Sequence, residues 1–199
     1  GEEEEETESF RQRWRNSFTS VAFGGNKADY KEKICKIEGV GGCKVERATN
    51  AAGERKGEYV RCTIIASDYS IPSDTLVDNV QNIIDPKKDG EGDGIAPIGH
   101  ICTISPVNGV TVDIKSKFTF SSGYTFSDFE IDIKTITSDY FKELAKEWDA
   151  SEKLVVRISA IESRILEIKD IIDIADTTLN GKGENLILSQ NDIPQLGTV

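Results

Sequence analysis

The chain has 199 residues, of which 37% are hydrophobic and 30% are charged, and its formal net charge at pH 7 is -11. This length suits one large domain or two small ones, and the composition is typical of a globular protein. The acidic balance, with no large cluster of Lys and Arg, argues against a face that wraps nucleic acid and disfavours binding to anionic membranes.

The first predicted element is an amphipathic helix that follows an acidic lead-in. Residues 1–7 are mostly glutamate, and we expect them to be disordered. Phe10, Trp14 and Phe18 then recur at every fourth position, which places them on one face of a helix. Such a stripe is typical of a core or of a subunit contact, so these three aromatic residues are candidate interface residues.

Residues 8–88 are predicted to form an α+β module in the order helix, helix, strand, strand, helix. Asn26 is the predicted N-cap of the second helix. Apolar and polar residues alternate around Cys43 and again around Cys62, which indicates two strands joined by a polar hairpin loop. The third helix is predicted to end at Pro86, because proline cannot continue a helix.

A Gly-rich polar segment, residues 89–98, is predicted to be a linker between two domains. Asp89, Glu91 and Asp93 also match the first half of a calcium-binding loop. Position 12 of that loop should be a bidentate Glu and is His100 instead, so weak calcium binding is only an alternative interpretation.

Residues 99–199 are predicted to form a second α+β module. Apolar residues occupy the even positions of 110–120, which indicates one long strand with one wet face. Residues 129–148 carry an apolar stripe at helical spacing, and this long helix ends at the second tryptophan, Trp148. We regard Trp148, like the N-terminal aromatic stripe, as a candidate interface residue.

The end of the chain is predicted to contain a helix and a strand pair. Ser159 and Glu162 have the spacing of a capping box, so a helix should begin there. Residues 171–177 and 186–189 are the predicted strands, with a turn at Asn180-Gly181 between them. The predicted fold class is therefore α+β, with two small modules in which helices pack on short, mostly antiparallel strands.

Few residues suggest chemistry. His100 is the single histidine, and Cys102 lies two residues further on, but no nucleophile motif accompanies them, so a structural role is favoured. Cys35, Cys43, Cys62 and Cys102 lack metal-binding spacing and are interpreted as small buried hydrophobes in a reducing compartment. A disulfide between Cys43 and Cys62 remains a less favoured alternative.

Carboxylates are abundant, but none forms an identifiable catalytic pair. Glu143, Glu147 and Asp149 lie near the end of the long predicted helix, where a solvated face is the default interpretation. No phosphate-binding loop and no nucleophile elbow occurs in the sequence. We therefore expect no catalytic residues, no cofactor and no metal.

Three stretches resemble the baseplate J family of contractile phage tails. They are GGNKADYKEKICKIEGV at residues 24–40, IIDPKKDGEGDGIAPIGH at 83–100 and DTTLNGKGENLILSQNDIPQLGTV at 176–199. Their order and spacing also agree with the family, and the resemblance spans nearly all of residues 8–199. The most specific piece is the Asp-Pro that precedes a Gly-rich loop and Ala-Pro-Ile-Gly.

The resemblance implies a structural wedge component of the baseplate of a phage, prophage or tailocin-like particle. Implied partners are other wedge and hub proteins, tail-fibre attachment proteins and further copies in the assembled ring. The implied location is the virion tail baseplate, assembled in the bacterial cytoplasm. Alternatives are an acidic protein-interaction or adhesion module and, less favoured, a tail-associated cell-wall hydrolase.

The sequence gives no indication of membrane insertion. No apolar run approaches the roughly 20 residues of a membrane span, and we expect no signal peptide. The chain starts at Gly1 and has no methionine, so we expect it to be a fragment or a processed piece, with the family's N-terminal region missing.

Overall fold

The computed structural model describes Arg11, residues 24–49 and residues 55–199. The acidic lead-in at 1–7 and most of the predicted hairpin loop, residues 50–54, lie outside this part of the chain. The chain divides into two compact units. Unit 1 comprises the residues up to Ile64 together with Asp74–Ser105, and unit 2 comprises Ile65–Ser73 together with Pro106–Val199. The fold is α+β, as the sequence predicted.

Unit 1 is built on a three-stranded sheet in the order β1-β2-β3. Its elements are α1 (Lys27–Cys35), β1 (Val40–Thr49), β2 (Arg55–Ala66), α2 (Asp74–Ile84) and β3 (Ile101–Pro106). Asn26 caps α1 as predicted, because its Oδ1 accepts the backbone N–H of Asp29 at 2.8 Å. The core contains apolar side chains from all five elements, including Ile34, Cys43, Ile64, Val80, Ile84 and Ile104.

Two buried polar side chains, Gln81 in α2 and Asp85 directly after it, hydrogen-bond to the edge of β3. Gln81 Oε1 accepts the N–H of Ile104 at 2.8 Å, and Gln81 Nε2 donates to the carbonyl of Cys102 at 3.0 Å. Asp85 Oδ2 accepts the N–H of Cys102 at 2.9 Å. These bonds satisfy backbone groups that a buried strand edge would otherwise leave unpaired.

The Gly-rich segment packs against the end of α2, whereas the sequence predicted a linker there. Ala96 N–H donates to the carbonyl of Ile84 at 2.8 Å, and Gly99 N–H donates to Gly90 at 2.7 Å. A Cβ on Gly94 would lie 2.4 Å from the Ile84 oxygen, so this glycine permits close backbone approach. The units divide elsewhere, and β3, which follows the segment, belongs to unit 1 up to Ser105.

Unit 2 contains three two-stranded sheets and two helices. Its elements are β4 (Asn108–Val112), β5 (Ile114–Phe120), α3 (Phe126–Lys146), β6 (Val155–Val156), α4 (Ile158–Ile165), β7 (Ile171–Leu179), β8 (Leu186–Ile187) and β9 (Asp192–Leu196). β4 and β9 are parallel, whereas the pairs β5–β7 and β6–β8 are antiparallel.

The predicted long strand at 110–120 is two strands that meet at Asp113. Before this residue the chain pairs with β9, and after it the chain pairs with β7. The alternation of buried and exposed side chains continues across the break, with Val112 and Ile114 both buried. The periodicity therefore predicted the buried face correctly, but it did not reveal the change of partner.

Asp113, where the strand partner changes, hydrogen-bonds to the last residues of the chain. Its Oδ1 accepts the N–H and the Oγ1–H of Thr198 at 2.7 and 2.8 Å, and its own N–H donates to Asn180 Oδ1 at 2.7 Å. A Cβ on Gly197 would lie 2.2 Å from Asp113 Oδ1. The terminal Gly-Thr pair, part of the signature that resembles the baseplate family, thus has a local structural role.

Several boundaries in unit 2 differ from the prediction. α3 begins earlier than expected, where Asp128 Oδ2 accepts the N–H and Oγ1–H of Thr125 at 2.8 and 2.9 Å. α4 begins at Ile158 behind an Arg157 N-cap, so the capping box predicted at Ser159 is wrong. The predicted turn at Asn180 is present, with positive φ angles at Asn180 and the following glycine.

The two terminal strands do not pair with each other along their length as the hairpin prediction required. Beyond a single bridge between Leu179 and Lys182, β7 pairs with β5, and β8 pairs with β6. The turn residues therefore reverse the chain without setting the strand partners.

Candidate interaction surface

The single histidine of the sequence, His100, contacts a tyrosine. His100 Nδ1 lies 3.0 Å from the hydroxyl of Tyr30, and the two rings stack with centroids 6.0 Å apart. Burial raises the pKa of Tyr30, so its hydroxyl stays protonated and can donate to the imidazole. Cys102 Sγ instead contacts Cys62 Sγ at 3.7 Å, so His100 and Cys102 have different partners.

The acidic carboxylates have other partners. Asp93 forms an ion pair with Lys87 at 2.5 Å, and Asp89 Oδ1 accepts the N–H of Glu91 at 3.0 Å. Within residues 24–49 and 55–199, no group of three His, Cys, Asp or Glu side chains has the arrangement of a metal site.

Glu143 is an ion-paired carboxylate. Arg164 donates to both of its carboxylate oxygens at 3.1 and 2.7 Å. The hydrogen bond from Arg164 lowers the pKa of Glu143. A general acid of the kind used in glycoside hydrolysis needs a raised pKa instead. The arrangement therefore gives no support to Glu143 as a proton donor.

The structure places Trp148 in the core of unit 2. Its side chain is 0% exposed, and its Nε1 donates to the carbonyl of Gln190 at 3.1 Å. A fully buried indole has no surface to offer a partner, so the expectation that Trp148 is an interface residue is corrected. The other candidates, Phe10, Trp14 and Phe18, lie outside the described residues.

Five aromatic side chains form a partly exposed cluster in unit 2, although the sequence pattern placed Phe118, Phe120 and Phe129 on buried faces. Phe118 contacts Phe120 and Phe126 with ring centroids 5.7 Å apart in each pair. Phe129 extends the cluster, at 5.6 Å from Phe120 and 5.4 Å from Tyr124. Phe118, Phe120 and Phe126 are half-buried, and Tyr124 is 46% exposed.

A groove of about 320 Å³ runs beside this cluster, and we call it the aromatic groove. It is lined by Ile114, Lys115, Ser116, Phe118, Phe120, Phe126 and Val199. Phenylalanine and tyrosine that keep exposed area are favoured at protein interfaces, because they bury much apolar surface with little loss of side-chain freedom. The groove is therefore a candidate contact surface for an apolar segment of another protein.

A second exposed apolar feature lies on the Gly-rich segment of unit 1. Ile98 is 82% exposed, and it contacts Gly92, where an added Cβ would lie 2.7 Å from Ile98 Cγ1. The segment is held by backbone hydrogen bonds at Ile95, Ala96 and Gly99. The isoleucine thus projects from an internally bonded loop.

Both features expose apolar side chains of the kind that a protein partner can cover. None of the helices in the part of the chain that the structure describes is both long enough and apolar enough to span a bilayer.

Two family models match the chain. The baseplate J-like central domain matches residues 22–106, and the baseplate J-like protein C-terminal domain matches residues 112–199. The chain belongs to the baseplate J-like family, as the sequence motifs indicated.

Two curated relatives come from Bacillus subtilis (strain 168). The chain is 32% identical to "Uncharacterized protein YqbT" and 29% identical to "Phage-like element PBSX protein XkdT" over 199 residues. It spans 54% of the length of each, so it corresponds to about half of these relatives.

A solved structure shares the fold. The similar chain is from the baseplate of the anti-feeding prophage, solved by cryo-EM with 6-fold symmetrisation, and it matches with a TM-score of 0.62 and 9% identity. The match covers 96% of this chain and 42% of that chain. At this identity the likeness concerns the fold alone.

Proposed function

We propose that the chain is a structural component of the baseplate of a contractile tail. Its family membership supports this proposal, together with the phage-like element named for one relative and the prophage baseplate that supplied the similar fold. Its place is the tail baseplate, assembled in the bacterial cytoplasm. It acts there as a wedge ring protein that links the hub, neighbouring wedge subunits and the fibre attachment.

The observation that carries this proposal is the aromatic groove. A subunit of an assembly must stay soluble when it is alone, and it must also carry apolar surface that a partner can bury. Tyr124 and Phe126 meet this requirement at one end of the aromatic cluster, because the first is exposed and the second is half-buried. The occupant of the groove in our proposal is an apolar segment of a neighbouring baseplate subunit.

Phe10, Trp14 and Phe18 remain proposed contact residues. Their four-residue spacing gives one apolar stripe, and Arg11, Arg13 and Arg15 flank it in the sequence. Proposed partners are other wedge and hub proteins, tail-fibre attachment proteins and further copies of this chain. No nucleic acid and no membrane insertion is part of the proposal, and the chain has no catalytic role in it.

The test is incorporation of the chain into particles. A host that carries the tail genes without this gene is complemented with the parent or with the double variant Tyr124→Ala, Phe126→Ala. The variant should be soluble and folded by circular dichroism, but its amount in purified particles should fall at least several-fold. Ile187→Ala, which truncates an exposed isoleucine outside the groove, is the matched control and should incorporate normally.

Normal incorporation of the folded double variant would contradict the groove as a contact surface. Absence of the parent chain from purified particles would contradict the baseplate proposal itself. The hydrolase alternative has a separate test, since purified chain that degrades cell-wall material with turnover would show an enzyme. Loss of that activity in Glu143→Gln or Glu147→Gln would then identify the carboxylate involved.

A further inference from the structure

Three cysteine thiols lie across the sheet of unit 1. Cys43 is on β1, Cys62 on β2 and Cys102 on β3, and each is at most 1% exposed. Cys62 Sγ and Cys102 Sγ are 3.7 Å apart. Cys35, in contrast, is exposed on α1. The central strand therefore carries a buried thiol in direct contact with a thiol of the neighbouring strand.

We infer that Cys62 and Cys102 are an oxidative modification site, where a peroxide converts the two thiols into a disulfide. Paired strands lie about 4.8 Å apart, which is within the Cα separation of about 4.4–6.8 Å that a disulfide spans. The sulfurs must approach from 3.7 Å to about 2.05 Å. Rotation of the two side chains about their Cα–Cβ bonds would have to supply this approach.

The chemistry balances with hydrogen peroxide as the two-electron oxidant. One thiolate attacks a peroxide oxygen, the O–O bond breaks, and after protonation a sulfenic acid and one water result. The second thiol attacks the sulfenic sulfur, the S–O bond breaks, and a second water leaves. Both sulfurs are oxidised and both peroxide oxygens are reduced. A buried pair suits an oxidant as small as peroxide better than a bulky disulfide oxidant.

The environment of Cys62 sets the pace of this reaction. Hydrogen bonding with Cys102 and Cys43, together with burial, raises the pKa of the Cys62 thiol. Since the thiolate is the reactive form, oxidation should be slow compared with that of the exposed Cys35. The site is thus suited to gradual locking of the sheet rather than to rapid signalling.

The disulfide would close a loop that contains α2 and the Gly-rich segment, because its two cysteines are 40 residues apart. It would restrict the unfolded chain and join β2 to β3 covalently. Its biological value rests on the proposed function, since a tail component passes from the reducing cytoplasm to an oxidising exterior on release. The chemistry itself does not depend on that function.

The experiment uses purified full chain with Cys35→Ser, which removes the exposed thiol. The protein is treated with hydrogen peroxide, quenched and unfolded, and its remaining thiols are alkylated before peptide mass analysis. We expect a linked peptide pair joining Cys62 to Cys102, with the loss of two hydrogen atoms. The melting temperature should rise by about 5 °C or more and return to its starting value after reduction.

Two further variants separate the pairings. Cys43→Ser in the same background should still form the link, whereas Cys102→Ser should not. A link between Cys43 and Cys62 in the parent would overturn the assignment. Complete alkylation of all three thiols after prolonged oxidation of the folded protein would also overturn it. Neither result bears on incorporation into particles, so failure here and failure of the proposed function are distinguishable.

Discussion

Gly197 stands where any side chain would collide with Asp113, and the penalty can be measured. Gly197→Ala places a Cβ 2.2 Å from the carboxylate oxygen that holds Thr198, so the terminal segment must shift. We expect a loss of about 1–3 kcal/mol in the free energy of unfolding, measured by urea denaturation. Gly183→Ala is the matched control, because a Cβ there meets no atom within 4 Å and its change should be small.

The carboxylate of Asp113 should make unit 2 sensitive to acid. The backbone N–H and then the hydroxyl of Thr198 lower the pKa of Asp113 in the folded chain. A lowered pKa contributes stability that is present above the unfolded value of about 3.9 and is lost as pH falls through the folded value. The stability difference between parent and Asp113→Asn should therefore shrink on acidification from pH 7, as measured by urea midpoints. A constant difference would contradict this role.

Truncation of Trp148 should lower the free energy of unfolding, whereas the sequence suggested that this residue is a surface contact. The buried indole loses its packing and its hydrogen bond to Gln190 in Trp148→Ala. We expect a cost of about 3–5 kcal/mol, measured by thermal or chemical denaturation. Tyr124→Ala truncates an exposed aromatic residue of the same unit and should cost much less. If both substitutions lowered the free energy of unfolding by the same small amount, the assignment of Trp148 to the core would be wrong.

At the scale of elements, α2 stabilises β3 through hydrogen bonds from the side chain of Gln81 to the strand backbone. Gln81→Met keeps a similar side-chain volume but leaves the N–H of Ile104 and the carbonyl of Cys102 without that partner. Each unsatisfied buried group costs about 1–3 kcal/mol, so we expect a loss of about 2 kcal/mol or more in unfolding free energy. Asn82→Met, on the exposed side of the same helix, should change stability little.

Local sequence signals predicted several elements correctly, although the helix start expected at Ser159 was wrong, and they did not predict which strands pair. Asn26 signals its helix because an N-cap acts within three residues. The Asn180 turn is likewise local. Residues 110–120, by contrast, keep one buried face while changing from one sheet partner to another at Asp113. Apolar periodicity reports which side is buried, and it contains no information about the strand that lies beside it.

The candidate surface was less predictable than the fold. Phe118 and Phe120 occupy the buried face of a strand in the sequence pattern, yet both keep partial exposure beside the aromatic groove. Whether a strand end extends past the core depends on the length of the elements packed against it. Here Phe126 and Phe129 of α3 contact the two rings, and α3 begins behind a capping interaction of Thr125 with Asp128 that the sequence pattern did not reveal.

At the scale of the whole molecule, the net charge of -11 should govern self-association. Like charge keeps copies apart, and between about 0.01 M and about 1 M salt the Debye length falls from about 30 Å to about 3 Å. We expect sedimentation velocity to show a monomer at low salt and weak association at high salt. The Tyr124→Ala, Phe126→Ala variant should reduce that association. A tight oligomer whose association does not depend on salt concentration would contradict this expectation.

The parallel pairing of β4 with β9 has a consequence for synthesis on the ribosome. Asn108 is paired with Asp192, 84 residues later, so unit 2 cannot complete its sheets until β9 has emerged. The residues of unit 1, by contrast, end at Ser105. Its folding can therefore start while unit 2 is still being translated, as domains commonly do in N-terminal order. A chain whose synthesis stops before β9 would have an ordered unit 1 and an incomplete unit 2. Such an incomplete unit is a substrate for proteases and chaperones.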